Sequence, residues 1–445
     1  MSLTMESLTR NKILLAISTL TLALYGGLVQ AQEDEGWSDD WGDTEFSDEE
    51  KSFVITGFVE GAYGGFVDHN TAVGSRESLN EGRLRLETEK EFGSVVAKLK
   101  ADGYHDGVEG KTSARIREAV VSFSPRSDMD VKLGRQILTW GTGDLVFLND
   151  LFPKDWQSFF SGRDQEYLKA PSDALKWSWF NSVVNIDVVW SPRFDSDSYL
   201  TGERFSYFSP LSASVTGDEE NGVVNAEKPS DDEWAVRLYQ NTGSVEWAFY
   251  GYQGYGKQPK AVNTVTFEPR FYELQVMGAS VRSPLFGGIA NMETAWHLSK
   301  EDRDGSDPFI SNDQWRFLIG YEHELLPRLT PKLTLSMQYY LEKTQDYNTQ
   351  QRNAFFPKFE TPENRDLVTV RLTKQMLQDN LTLSLFMYYS PAEQDSYVMP
   401  SVNYRYSDQL SFSFGGNFYE GEDSHSFFGQ LENNSNLYGR VRYSF

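Results

Sequence analysis

Residues 437–445 read LYGRVRYSF. Counting back from Phe445, every second residue is apolar or small: Tyr443, Val441, Gly439 and Leu437. Arg440 and Arg442 fall between them. A period of two sends successive side chains to opposite faces of a strand. One face of this strand suits an apolar medium, and the other carries two cations. Lipid outside and a wet lumen inside satisfy both faces at once.

The same alternation recurs upstream. Eighteen segments carry it, near 53–68, 79–91, 93–104, 115–124, 129–139, 173–180, 183–191, 232–242, 244–254, 270–282, 286–299, 314–324, 330–342, 364–375, 379–390, 396–406, 409–419 and 433–445. Short turns near Gly93, Pro125, Asn181, Gly243, Pro284, Pro327, Gln378 and Asp408 alternate with longer connections. Even strand number with short turns on one side and longer loops on the other is the pattern of outer-membrane barrels. Only closure leaves no unpaired strand edge in lipid. The expected fold is an all-β transmembrane antiparallel barrel of about 18 strands, with 16 as the alternative count.

Composition agrees. Aromatics make up 14% of the chain while mean hydropathy is −0.51, so apolar side chains are plentiful but not gathered into long runs. Residues 1–31 read as a secretory signal: Arg10 and Lys12, an apolar stretch from Ile13 to Leu24, then Val29-Gln30-Ala31. After Ala31 no apolar run reaches 18 residues, so no membrane-spanning helix is expected. The absence of cysteine excludes a disulfide framework and thiolate metal sites. Residues 32–52 form a leader in which acidic residues outnumber basic ones heavily, interrupted by Trp37, Trp41 and Phe46. Such a run cannot bury a core. It is either a solvated spacer or an aromatic-acidic peptide that docks a periplasmic or exporter partner. The barrel proper is expected over 53–445, in the outer membrane of a Gram-negative bacterium, with the leader and C-terminus in the periplasm.

Parity then assigns faces. Leu84 and Leu86 face out, so Arg83 and Arg85 face in. The same reasoning points Lys98, Lys100, Lys132, Arg371, Arg405, Arg440 and Arg442 inward, and Arg115 with Arg117 onto one face. Nine acids, among them Glu60, Glu87, Glu293 and Glu342, share that face. The lumen is thus modestly basic inside a chain of net charge −24. The cations either pair internally or form a rail for an anionic solute, since rings of Arg and Lys favour anions.

Residues 140–172 carry an apolar load unsuited to a free loop: Phe147, Phe152, Trp156, Phe159 and Phe160, with Arg163 close by. The segment is expected to fold into the barrel as a constriction. An external cap and a partner-binding loop are the alternatives. Residues 192–231 read as a mobile surface loop. His69 and His105, near Asp68, Asp102 and Asp106, offer a minor alternative, a rim hydrolase, with an adhesin as another. No nucleophile elbow, HExxH or phosphate loop is present, and no metal or cofactor is expected. The acid excess argues against nucleic acid.

The stretch Gly134-Arg135-Gln136-Ile137-Leu138-Thr139-Trp140-Gly141, followed by Asn149-Asp150 and Pro153-Lys154-Asp155, resembles the strand-to-loop region of alginate-export-like outer-membrane barrels. It is also similar to a related family of barrels linked with RND-type exporters. The resemblance implies export of an anionic polymer or an amphiphile. A terminal aromatic preceded by alternating apolar residues resembles the signal read by barrel-insertion machinery. It makes that machinery, through Phe445, an expected partner along with outer-membrane lipid and lipopolysaccharide. The acidic Trp-rich leader and the less uniformly basic lumen depart from the exporter pattern. By parity Arg135 falls on the lipid face, beside Leu133 and Ile137.

Overall fold

The computed structural model describes residues 54–217 and 226–445. The signal segment and the leader with Trp37, Trp41 and Phe46 lie outside the described residues. Eighteen strands form one antiparallel sheet, and the first pairs with the last to close it. The first seven are β1 (Ile55–Asn70), β2 (Ser75–Phe92), β3 (Val95–Asp106), β4 (Lys111–Arg126), β5 (Met129–Ile137), β6 (Pro171–Trp179) and β7 (Asn185–Ser191). After a small ribbon, β8 (Tyr207–Ser209) with β9 (Ser214–Thr216), come β10 (Glu233–Thr242) and β11 (Val245–Tyr255). A second ribbon joins β12 (Ala261–Val262) and β13 (Pro269–Arg270). The barrel resumes with β14 (Glu273–Leu285), β15 (Gly288–Ser299), β16 (Gln314–Glu324), β17 (Leu333–Thr344) and β18 (Asn364–Met376). It ends with β19 (Leu381–Ser390), β20 (Asp395–Arg405), β21 (Leu410–Gly421) and β22 (Asn436–Ser444). Each barrel strand overlaps one of the eighteen alternating segments. No helix among the described residues is long and apolar enough to cross a membrane.

The lipid face follows parity. Leu84 and Leu86 are 41% and 44% exposed, while Arg83 and Arg85 between them are 5% and 1% exposed. Val441, Tyr443 and Leu437 are likewise exposed on the last strand. Short connections turn at Gly93 and Gly243, both at φ +63°, a conformation that glycine enters without a Cβ clash. Strand β4 departs from simple alternation at one place. Lys100 pairs with Glu118 but Ala101 pairs with Ile116, so Arg117 is the extra residue of a bulge. The bulge leaves Arg117 and Glu118 both on the lumen side.

Arg135 does sit on the outer face. There it donates to the Ile116 carbonyl and pairs with Asp173 on the next strand at 3.1 Å. Residues 192–217 do not form a free surface loop, contrary to the sequence reading. Arg204, Phe205 and Ser206 are buried, and Asn434 Oδ1 accepts from both the Ser206 backbone and hydroxyl. Length and polarity suggested exposure; contacts with distant β22-side residues produce burial.

Candidate functional site

The segment between β5 and β6 enters the barrel and crosses to the far wall. Its carboxylate Asp144 pairs with Arg371 on β18 at 2.6 Å. The Thr142 amide and the Asn149 side chain both donate to Glu293 on β15, at 2.8 and 2.9 Å. Tyr388 donates its hydroxyl to the Leu145 carbonyl, and His297 Nε2 donates to that of Leu148. A short helix, Trp156–Ser161, starts at Asp155, whose carboxylate accepts from the Ser158 amide. It stops at Gly162, φ +82°, where a Cβ would lie 2.1 Å from the Tyr438 ring. Glycine is therefore required there by both conformation and space. In the last turn of the helix, the Phe160 carbonyl accepts from Asn417 and Asn436 on the closing strands.

The aromatic residues of this segment form one group. Trp156 lies 6.1 Å from Phe147, 6.0 Å from Phe159 and 6.1 Å from Phe160, ring centre to ring centre. Phe160 packs against Tyr397 and Tyr419 of the wall. Phe152 turns the other way, against Trp140 at 5.1 Å. Pairs at these spacings add about 0.5–1.5 kcal/mol each beyond the area they bury.

The predicted cations separate into two populations. Those on β2 to β4 lie mostly beneath the segment and are paired. Asp102 bridges Arg83 at 2.8 Å and Arg85 at 2.6 Å. Arg83 also meets Glu81, and Arg85 meets Glu166. Arg117 donates to the carbonyls of Glu166 and Lys169, and with Arg83 and Arg85 it surrounds the Tyr167 ring. Lys98 and Lys100 share Glu118 at 3.0 and 3.5 Å. Arg115 meets Asp155, and Arg163 meets Glu81 and Asp106. Lys132 is exposed and faces Lys176 as its strand partner.

The second population lines open space. Four cavities follow one another down the wall from β14 to β22. The first, about 210 Å³, is lined by Trp156, Tyr199, Lys260 and Phe427 at the long-loop end. The second, about 250 Å³, shares Trp156 and Lys260 with it and adds Arg316, Glu342 and Arg365. Leu145 and Phe159 stand between this cavity and the third, about 330 Å³, which holds Arg163, Arg371 and Arg440. Asp164, Asn403 and Arg440 lead on to a fourth, about 340 Å³, with Arg405 and Arg442 beside the short turn at Asp379. Arg405 is held by Asn380 at 3.2 Å, and Arg440 and Arg442 both meet Asp164 at 3.1 Å.

Sequence reasoning missed Lys260 because it lies in a loop, where parity says nothing. Among the described residues it makes no ion pair, and it is exposed to the lumen. The enclosing walls press its ammonium below the ordinary lysine range; Glu342 opposes this, and Arg316 and Arg365 add to it. The acids Glu81 and Glu118 were also missed, and Asp102 was read only as a rim residue. Glu81 shares parity with Arg83 and Arg85 on β2, and Asp102 with Lys98 and Lys100 on β3, so that signal was present. Around His105 the His–Asp arrangement does not assemble: His105 bonds Thr112, while Asp102 and Asp106 are held by arginines. No metal-holding cluster occurs among the described residues.

No family model and no curated protein matches the sequence. Solved structures do. OccAB2 of Acinetobacter baumannii superposes with TM-score 0.52 at 8% identity, over 91% of this chain and 99% of that one. OccK11 (OpdR) of Pseudomonas aeruginosa gives 0.51 at 12%, over 90% and 99%. OccD3 (OpdP) of the same organism gives 0.50 at 10%, over 89% and 91%. The chain is a porin-like transmembrane β-barrel of outer-membrane type. At such identities the likeness is one of fold.

Proposed function

We propose that this barrel is an outer-membrane channel that passes an anionic solute, polymer or amphiphile along the cavities beside β14 to β22. The observation that carries the reading is the charge along that route. The second cavity is lined by five cations and three acids, the third by three cations and one acid, and the fourth by three of each. One of the acids, Asp197, is pushed up by burial. Cations lining a narrow passage favour anions. The arginines remain charged at every physiological pH. Aromatic rings beside Lys260 and Arg365 suit a solute with an apolar part as well as a charge.

The resemblance to alginate-export-like barrels favours export as the direction. In that arrangement the leader and the C-terminus face the periplasm, and Trp37, Trp41 and Phe46 dock an RND-type or other periplasmic partner. Reversal potentials in a potassium chloride gradient across planar bilayers test the reading. The expected result is a potential on the chloride side for the wild type and a shift towards potassium for Lys260→Glu. A cation-selective wild-type pore, or no pore, overturns the proposal.

A further inference from the structure

The wall of the barrel is not uniform. Strand β7 has seven residues, against about 9–11 for a strand that spans a bilayer. Strands β6 and β7 share five paired positions, from Leu175 with Trp190 to Trp179 with Ile186. By comparison β11 and β14 share ten, and β14 and β15 share twelve. The β6–β7 seam is therefore held by the fewest ladder positions of the closed sheet.

Its outer face is short as well. Trp190 and Trp234 lie 6.2 Å apart, and both donate their indole N–H to Asp232 at the long-loop end. Trp179 donates to Asp128 at the short-turn end. Indoles with one polar partner mark the two edges of a membrane. Trp190 faces Leu175, and Trp179 lies four residues further along β6. At about 3.3 Å per residue the edges are roughly 13 Å apart along the strand, against an apolar band of about 25 Å elsewhere on such barrels. Local thinning of the bilayer is one way to match so short an apolar face.

The inner face is apolar where the seam is weakest. Ala174 on β6 and Val189 on β7 are buried against Leu138, Trp140, Phe152 and Ala235. Phe152 also lines the 250 Å³ cavity that holds Lys260 and Arg365. Phe152, with Trp140 packed against it, thus lies between the charged cavity and the back of the seam. Nearer the short turns the seam is fastened by polar contacts: Lys176 meets Asp187 across it at 3.3 Å, and Ser178 donates to Asp187.

We infer that the β6–β7 seam is a lateral port for the apolar part of an amphiphilic anion. The tail passes between lumen and membrane past Phe152, while the head stays with the lumen cations. The Lys176–Asp187 pair is the fastening that opens. The inference rests on the channel reading above and adds the route of the tail.

The chain has no cysteine, so a disulfide can be placed cleanly. Lys176→Cys with Val189→Cys, which are strand partners, would lock the seam. Met292→Cys with Ile319→Cys, partners on β15 and β16, is the control lock. The full chain is expressed in porin-deficient Gram-negative cells, and entry of 11-(dansylamino)undecanoate into the membranes is followed by fluorescence. Chloride conductance of the same variants is recorded in planar bilayers. The port predicts that the oxidised seam lock slows probe entry to the level of cells lacking the protein. Reduction restores entry, the control lock has no effect, and chloride conductance survives in all. Unchanged entry through a verified seam lock overturns the port and leaves the channel standing. Chloride current with no probe entry through the unlocked wild type also overturns it. Absence of chloride current in the wild type overturns the channel reading, and the port with it.

Discussion

Glu60 on the first strand and Arg442 on the last are partners across the seam that closes the barrel, and their side chains meet at 2.8 Å. Arg440 lies 3.8 Å from the same carboxylate, and Asp164 reaches in from the infolded segment to both arginines. Closure, lumen charge and the position of the segment are thus tied at one cluster. Removing one charge there should change both selectivity and stability. Glu60→Gln leaves Asp164 alone against two arginines. Its reversal potential should move further towards chloride, and unfolding in detergent should cost about 1.5–3 kcal/mol less. Urea titration and a salt-gradient recording check the two effects.

Asp102 has a heavier structural duty, since two nearly inaccessible arginines depend on it. Breaking a buried pair by removing one partner costs about 3–5 kcal/mol because the other charge stays buried. Asp102→Ala should show a loss of that order in urea unfolding. Glu203→Ala, which removes an exposed partner of Lys111, should stay within about 1 kcal/mol.

Leu145 and Phe159 separate the two central cavities. Phe159→Ala removes a ring from the partition without touching a charge. Single-channel conductance should rise while the ion preference stays where it was. An unchanged conductance would move the constriction elsewhere.

Lys260 supplies a pH dependence. A lysine is charged below its pKa and neutral above it, and this one is held below the ordinary value of 10.5. Anion preference should therefore weaken as pH rises, starting at lower pH than for a surface lysine. The neighbouring Arg316 and Arg365 stay charged throughout. Reversal potentials recorded from pH 7 upwards check this, and Lys260→Arg should abolish the dependence.

The leader prediction is independent of the barrel. Deletion of residues 32–50 should abolish pull-down of a periplasmic or RND-type partner from envelope extracts. Conductance of the purified barrel should be unchanged.

Parity was legible because it is local. Alternation of Leu84, Leu86 and Leu99 with Arg83, Arg85 and Lys98 places each side chain from its own strand alone. Even the irregularity at Arg117 left a trace, as disturbed alternation in β4. What a lumen cation meets is not local. Arg371 finds Asp144, and Arg163 finds Glu81 and Asp106, across separations that no periodicity records. Residues 192–217 misled for the same reason: a polar stretch reads as solvated until a partner such as Asn434 is supplied from the other end of the chain.

The sequence by itself determined a closed wall of about eighteen strands, its lipid face and an aromatic segment too apolar for a free loop. A period of two and a rule against unpaired edges in lipid suffice for that. Only the tertiary structure decided which cations are sealed and which line open cavities. The infolded segment brings Asp155 and Glu166 onto the β2–β4 face and leaves cavities along the wall from β14 to β22. It also placed Lys260, a loop residue without parity, in that open space. Electrostatic pairing depends on distance in space rather than along the chain, and the barrel creates those distances only on closing.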